Sequence, residues 1–233
     1  LKQKGGLTLF QIKAIGAFAM VVDHAAVVFL NSTFWMRAVG RVAFPIFAYA
    51  LVEGFARTNS RKRYLLRLFV LAVASEWIFD RLFYGGSFWL HQNTVFTLFL
   101  GLTAMTVANA LSRQMAVLPW TGAFLAAWLL RTDYGAGGIM LIWLLWIGKD
   151  TVSGVAWAVI VFAAVGMFDA FAVGLPFSLY ILPLFSVGSV LMFAYRSSTE
   201  IKNSPVFQWA FYLWYPGHLA ALFLVQALLS KTH

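Results

Sequence analysis

Apolar stretches of roughly 17–22 residues recur from Leu9 to Leu229 with only short polar breaks between them. This is the feature that most restricts the fold. Each stretch is the length at which a helix, rising about 1.5 Å per residue, crosses about 30 Å of hydrocarbon. With 62% hydrophobic and 11% charged residues, the chain has no segment long or polar enough for a soluble domain. A β-barrel would show roughly 10-residue stretches of strict alternation, whereas residues 152–173 are apolar almost without interruption. The sequence therefore predicts an all-α polytopic transmembrane helix bundle, with residues 1–233 forming a single integral membrane domain.

The expected spans are Leu9–Leu30, Phe34–Phe55, Tyr64–Tyr84, Asn93–Leu111, Met115–Leu130, Ala136–Gly148, Val152–Val173, Leu179–Tyr195 and Gln208–Leu229. That makes nine, or eight if the short Ala136–Gly148 segment is re-entrant. Kinks are expected at Pro45, Pro119, Pro183 and Pro216, and a turn at Gly135, Gly137 and Gly138. The first apolar segment carries Lys13, Asp23 and His24, which reads as a span rather than a cleavable signal peptide. The absence of cysteine excludes disulfides, thiolate metal sites and a thiol nucleophile.

The net charge of +9 fits basic cytoplasmic loops better than nucleic-acid binding. Placing Arg57, Arg61, Lys62 and Arg63 in the cytoplasm and counting through nine spans puts Lys2, Lys4, Arg113, Lys149, Arg196 and Lys202 on the same side. Only Arg131 and Lys231 fall outside, so the N-terminus is expected in the cytoplasm.

An ionisable side chain at membrane depth is costly and is a functional candidate by default. In this arrangement Asp23 and His24 lie near the middle of the first span, Arg41 in the outer half of the second, and Glu76 and Asp80 in the outer half of the third. Asp133 and His91 lie at the outer surface, Asp169 near the outer end of the seventh span, and His218 near the middle of the last. Asp80, Arg81 and Asp169 are close enough to span ends for solvation or pairing to explain them. Glu53 and Lys13 sit near the inner interface, where Lys13 can snorkel. Arg41 is the natural counter-charge for Asp23, and His218 could equally be a satisfied core histidine. The many Phe and Trp residues read as packing. No helix carries paired histidines at i, i+4, so no metal site is expected.

The segments Ile12-Lys13 with Asp23-His24, Gly40-Arg41-x-Ala43-Phe44-Pro45-x-Phe47, Asp133-Tyr134-Gly135, and Phe211-Tyr212 with His218-Leu219-Ala220 together resemble the TraX family of conjugation-associated membrane proteins. The resemblance implies N-terminal acetylation of a conjugative pilin, in the setting of type IV secretion. It also implies acetyl-CoA as donor, a small membrane-inserted pilin as partner, and a bacterial inner membrane location. Some relatives accompany plasmids whose pilin is cyclised.

Acyl transfer to an amine needs a base, donors for the developing oxyanion, and exclusion of water. His24 is the expected base, with Asp23 and His218 as further catalytic candidates. Asp23, about 100° around the helix from His24, is expected to pair with Arg41 instead of orienting the imidazole. Arg41, Asp133, Tyr134, Tyr212 and Glu76 are candidates for substrate or oxyanion binding. Arg57, Arg61, Lys62 and Arg63, together with Lys13, stand where nucleotide phosphates of the donor would sit, or serve only to set topology. The competing readings are a pilin head-to-tail cyclase or transpeptidase, and a non-catalytic pilin chaperone or proton-coupled transporter. Transport is disfavoured because the ionisable groups gather toward one side.

The charge asymmetry generates a direct test of topology. Single cysteines introduced into this cysteine-free chain should be labelled from the cytoplasm at residues 57–63 and from the outside at residue 133. Labelling of residue 133 from the cytoplasm alone would refute the nine-span arrangement.

Overall fold

A computed structural model describes residues 6–86, 91–194 and 205–230, and every element among them is a helix. In chain order these are α1 (Leu9–Phe29), α2 (Phe34–Gly40), α3 (Ala43–Arg57), α4 (Arg61–Phe83), α5 (Thr94–Ala108), α6 (Val117–Leu129), α7 (Gly135–Gly148), α8 (Val152–Ala172), α9 (Phe177–Tyr180), a 3-10 segment (Leu182–Val187), α10 (Gly188–Ala194) and α11 (Pro205–Leu229). Lys2, Lys4, Arg196 and Lys202, expected in the cytoplasm, and Lys231, expected outside, lie beyond the described residues.

Helix starts follow local chemistry. Thr8 accepts from the Gln11 amide while the Gln11 side chain accepts from the Thr8 amide, a reciprocal capping box for α1. Ser60 caps α4, Asn93 caps α5 through the Val95 amide at 2.9 Å, and Thr151 caps α8 through the Gly154 amide at 3.0 Å. Helix α7 begins at Gly135 (φ 43°), directly after Tyr134 (φ 63°); of the three glycines expected to form a turn only Gly135 stands at it, and Gly137 and Gly138 lie buried inside α7.

Among the described residues, five helical stretches are long and apolar enough to cross a membrane: Leu9–Phe29, Phe34–Arg57, Val152–Ala172, Phe177–Ala194 and Trp209–Leu229. Two are interrupted. Phe34–Arg57 breaks at Arg41–Val42, because Pro45 has no N–H to bond the Arg41 carbonyl and its ring crowds that turn. The stretch expected as one span from Leu179 tightens into a 3-10 segment around Pro183 and resumes as α10. Pro119 falls in the first turn of α6, where a missing N–H costs nothing, and Pro216 is carried inside α11. Helices α5, α6 and α7 have 15, 13 and 14 residues, about 20–23 Å of rise, less than the hydrocarbon thickness. Helix α4 has 23 residues but carries Arg61, Lys62, Arg63, Arg67, Glu76, Asp80 and Arg81, which keeps it out of the apolar set.

The chain divides into two compact units, one of Leu1–Ala50 with Ile147–Trp209, the other of Leu51–Trp146 with Ala210–His233. In the first, α1 packs on α2, and α8 packs on the 3-10 segment and α10. Its core holds Ile12, Phe44, Ile46, Tyr49 and Phe193, with Tyr49 and Phe193 stacked at 4.4 Å between centroids. In the second, α5 packs on α4 and α6, and its core includes Leu102, Met105, Trp120, Ile139 and Ile142.

Gly101 lets α5 approach α7 closely, since a Cβ there would lie 2.5 Å from Ile142 Cδ1. Gly101→Val should therefore destabilise the protein by about 1–3 kcal/mol through overpacking. Thermal unfolding in detergent should show a lower midpoint for Gly101→Val, with partial recovery on adding Ile142→Ala. An unchanged midpoint for the single variant would contradict this packing.

Candidate functional site

Among the described residues, each unit holds a buried polar constellation. In the first, Asp23 projects from α1 onto the C-terminal turn of α2. Arg41 Nη2 donates to Asp23 Oδ2 at 2.8 Å, and Arg37 Nη1 lies 3.0 Å from Oδ1. The expected Asp23–Arg41 pair is present, with a second guanidinium that the sequence reading left unassigned. Arg37 and Arg41 are four residues apart, hence on one face of the helix end, and Arg41 Nε also donates to the Arg37 carbonyl at 3.4 Å. The arrangement depends on Gly40, where any Cβ would fall 2.3 Å from Asp23 Cβ. With its carboxylate shared by two arginines, Asp23 is tied into the contact of α1 with α2. His24 follows it on α1, partly exposed.

The second unit assembles more groups. Glu76 and Asp80 are buried on α4. Asn93, fully buried at the start of α5, donates to Glu76 Oε2 through its backbone amide at 3.1 Å and its side-chain Nδ2 at 2.5 Å, and through Nδ2 to the Ala72 carbonyl at 2.8 Å. The segment before α5 is tied to the segment before α7 by backbone bonds, Gln92 N to the Arg131 carbonyl at 3.1 Å and Asp133 N to the Gln92 carbonyl at 2.8 Å. This clasp brings Asp133 to Thr94, whose hydroxyl donates to Asp133 Oδ2 at 2.5 Å. Thr97 reaches Thr132 Oγ1 at 3.0 Å and the Asp133 carbonyl. His91 Nε2 lies 3.9 Å from Asp133 Oδ1. From α11, the buried Tyr215 phenol, whose oxygen has no hydrogen-bond partner among the described residues, lies near Thr94, Asp133, Glu76 and Tyr134.

His218 is buried one turn beyond Tyr215, with ring centroids 5.6 Å apart. Its Nδ1 lies 2.9 Å from the Trp214 carbonyl. A carbonyl only accepts, so in the neutral ring the proton sits on Nδ1 and the lone pair on Nε2. That is the tautomer a base requires. Thr94, Thr97, Thr132, Asn93 and Tyr215 were missed as site residues. Only Tyr215 carried a signal, three residues before His218 and hence on the same helix face.

Tyr212 does not join this group. It faces the Arg67 guanidinium, 5.5 Å from its ring centroid. On α4, Arg67 and Glu76 are nine residues apart, about 13 Å along the helix. The basic residues expected at a donor phosphate are also differentiated. Arg57 is held by Glu53 at 2.5 Å, and Arg61 lies over the Phe55 ring at 4.6 Å. Lys62 and Arg63 are exposed at the N-terminus of α4, where backbone N–H groups favour an anion. Lys13 is partly exposed on α1, in the other unit.

A family model described as TraX protein matches residues 8–226. The chain is 30% identical over 235 residues to a probable fimbrial assembly protein FimC, serogroup H1, of Dichelobacter nodosus, covering 91% of this chain and 93% of that protein. It is 28% identical over 136 residues to Protein TraX of Escherichia coli (strain K12), covering 56% of this chain and 52% of that one. No solved structure matches.

The shared carboxylate predicts unequal costs. Asp23→Ala deprives two guanidinium groups at once and should cost about 3–5 kcal/mol. Arg41→Ala leaves Asp23 on Arg37 and should cost less, and the Arg37→Ala/Arg41→Ala pair should approach the loss of Asp23. Unfolding midpoints of the purified variants check this; an Arg41→Ala variant as unstable as Asp23→Ala would contradict the shared pairing.

Proposed function

From the premise that this chain belongs to the TraX family, we propose that it is an inner-membrane acyltransferase that matures a pilin by acetylating its N-terminal amine, with acetyl-CoA as the acyl donor. A role in pilin maturation accords with the family and with the fimbrial assembly relative. The observation that carries the chemical reading is the surroundings of His218. It is a buried imidazole with its lone pair on Nε2, beside the Tyr215 phenol.

In the reaction the neutral amine attacks the thioester carbonyl, the C–S bond breaks, and coenzyme A leaves as thiolate. The proton released from nitrogen passes to a histidine, His24 or His218, and from there to the thiolate sulfur. No covalent acyl-enzyme is required. Tyr215 and Tyr134 supply hydroxyl donors for the carbonyl oxygen as it gains charge. Glu76 and Asp133, whose oxygens accept from Asn93 and Thr94, belong on the amine side of the site. For the donor's phosphates, Lys62, Arg63 and the α4 N-terminus offer the best-disposed positive groups, with Arg61 and Arg67 flanking.

The nine-span, N-terminus-inside topology belongs to this reading, since it puts those basic residues where coenzyme A is made.

Mass analysis of a pilin co-expressed with the chain tests the assignment. The pilin should gain one acetyl group with the wild type. Either His24→Gln or His218→Gln should abolish the gain while inserting normally, because glutamine hydrogen-bonds but takes no proton. Full acetylation by both variants would overturn the histidine-base mechanism.

A further inference from the structure

Glu76 and Asp80 stand four residues apart on α4, hence on one face. Asp80 is fully buried and Glu76 is 8% exposed. Asn93 occupies Glu76 Oε2. Glu76 Oε1 and both Asp80 oxygens are buried, and no described residue hydrogen-bonds them. Among the described residues no Lys or Arg forms an ion pair with either carboxylate. Arg81, the next residue on α4, is exposed and lies over the Trp77 ring at 5.4 Å, and Arg131, beside Asp133 in the clasp, is exposed. His91 acts on both acids only through its field.

A buried carboxylate is paired, binds a cation or takes up a proton. We propose that Glu76 Oε1 and the two Asp80 oxygens receive the primary ammonium group of the substrate. Such a group carries three N–H donors, and the pair leaves three acceptor oxygens without partners. A divalent cation fits less well. Calcium or magnesium takes six or more oxygen ligands, and here two side chains offer three, with Asn93 N–H groups denying the fourth. A quaternary ammonium has no hydrogen to donate.

That the ammonium is a peptide N-terminus, and not the headgroup of phosphatidylethanolamine, rests on the acetyltransfer reading; the recognition of an ammonium does not. The site acts before chemistry: the ammonium passes its first proton to the Glu76–Asp80 pair, and the neutral amine loses its second to the histidine as it attacks.

The test is binding of alanyl-alanine octylamide, with a free N-terminus, against its N-acetylated counterpart, to the full chain in phosphatidylcholine nanodiscs. The free amine should bind roughly tenfold tighter to the wild type, as charge-assisted hydrogen bonds confer. The preference should vanish in Asp80→Asn and in Glu76→Gln/Asp80→Asn. Equal binding of the two probes to wild type, which requires no variant to fold, would overturn the site, as would a preference that survives Asp80→Asn. Loss of the preference in nanodiscs containing phosphatidylethanolamine would reassign the pocket to the lipid headgroup, and loss on adding calcium or magnesium chloride would reassign it to a metal. Acetyl transfer with unchanged KM in Asp80→Asn would remove this site and leave the acetyltransfer reading intact. A free-amine preference without any transfer would do the reverse.

Discussion

A carboxylate placed among apolar helices must find a partner or lose its charge, and much of this molecule is arranged around that requirement. Asp23 meets it with two guanidinium groups at 2.8 and 3.0 Å. To do so, α1 and α2 must come close, which only a glycine at position 40 allows. The two arginines must also share a helix end, which the break before Pro45 supplies. Glycine, arginine and proline in the Gly40-Arg41-Val42-Ala43-Phe44-Pro45 segment are thus three parts of one device. The glycine admits the acid, the arginine neutralises it, and the proline ends the helix where the charges meet.

The second unit solves the same problem with neutral donors. Asn93 is at once the cap of α5, through Oδ1, and the partner of Glu76, through its nitrogen atoms. The clasp between residues 92 and 131–133 brings Asp133 to Thr94 and Tyr215. Neutral donors fix a carboxylate's position without cancelling its charge, so this unit keeps acids available to a cationic partner while the first does not. That difference is the physical basis for reading the first constellation as structural and the second as a place for chemistry.

The helices were legible because hydrocarbon demands long apolar runs, and capping residues such as Thr8, Ser60, Asn93 and Thr151 mark their starts. The Asp23–Arg41 pair was legible from depth alone, since an acid and a base at similar heights have few alternatives. Arg37 was not, because a basic residue near a span end has an adequate explanation in snorkelling. The site in the second unit was legible only in fragments. Glu76, Asp133, Tyr134 and His218 stand out as polar residues in apolar surroundings, but Asn93 and Thr94 look like an ordinary helix start. Their roles arise from a clasp between segments some 40 residues apart. Tyr212 and Tyr215 differ by three residues and look alike in sequence; only the packing of α11 sends one to Arg67 and the other to Thr94.

The claim on which the functional account stands is that this chain moves an acetyl group from coenzyme A to an amine. Purified chain in liposomes, supplied with isotopically labelled acetyl-CoA and a pilin bearing a free N-terminus, measures this directly. The account predicts that the label appears on the N-terminal nitrogen and that free coenzyme A is released in equal amount. A pilin lighter by one water, or unchanged in mass, with no coenzyme A released, would contradict it.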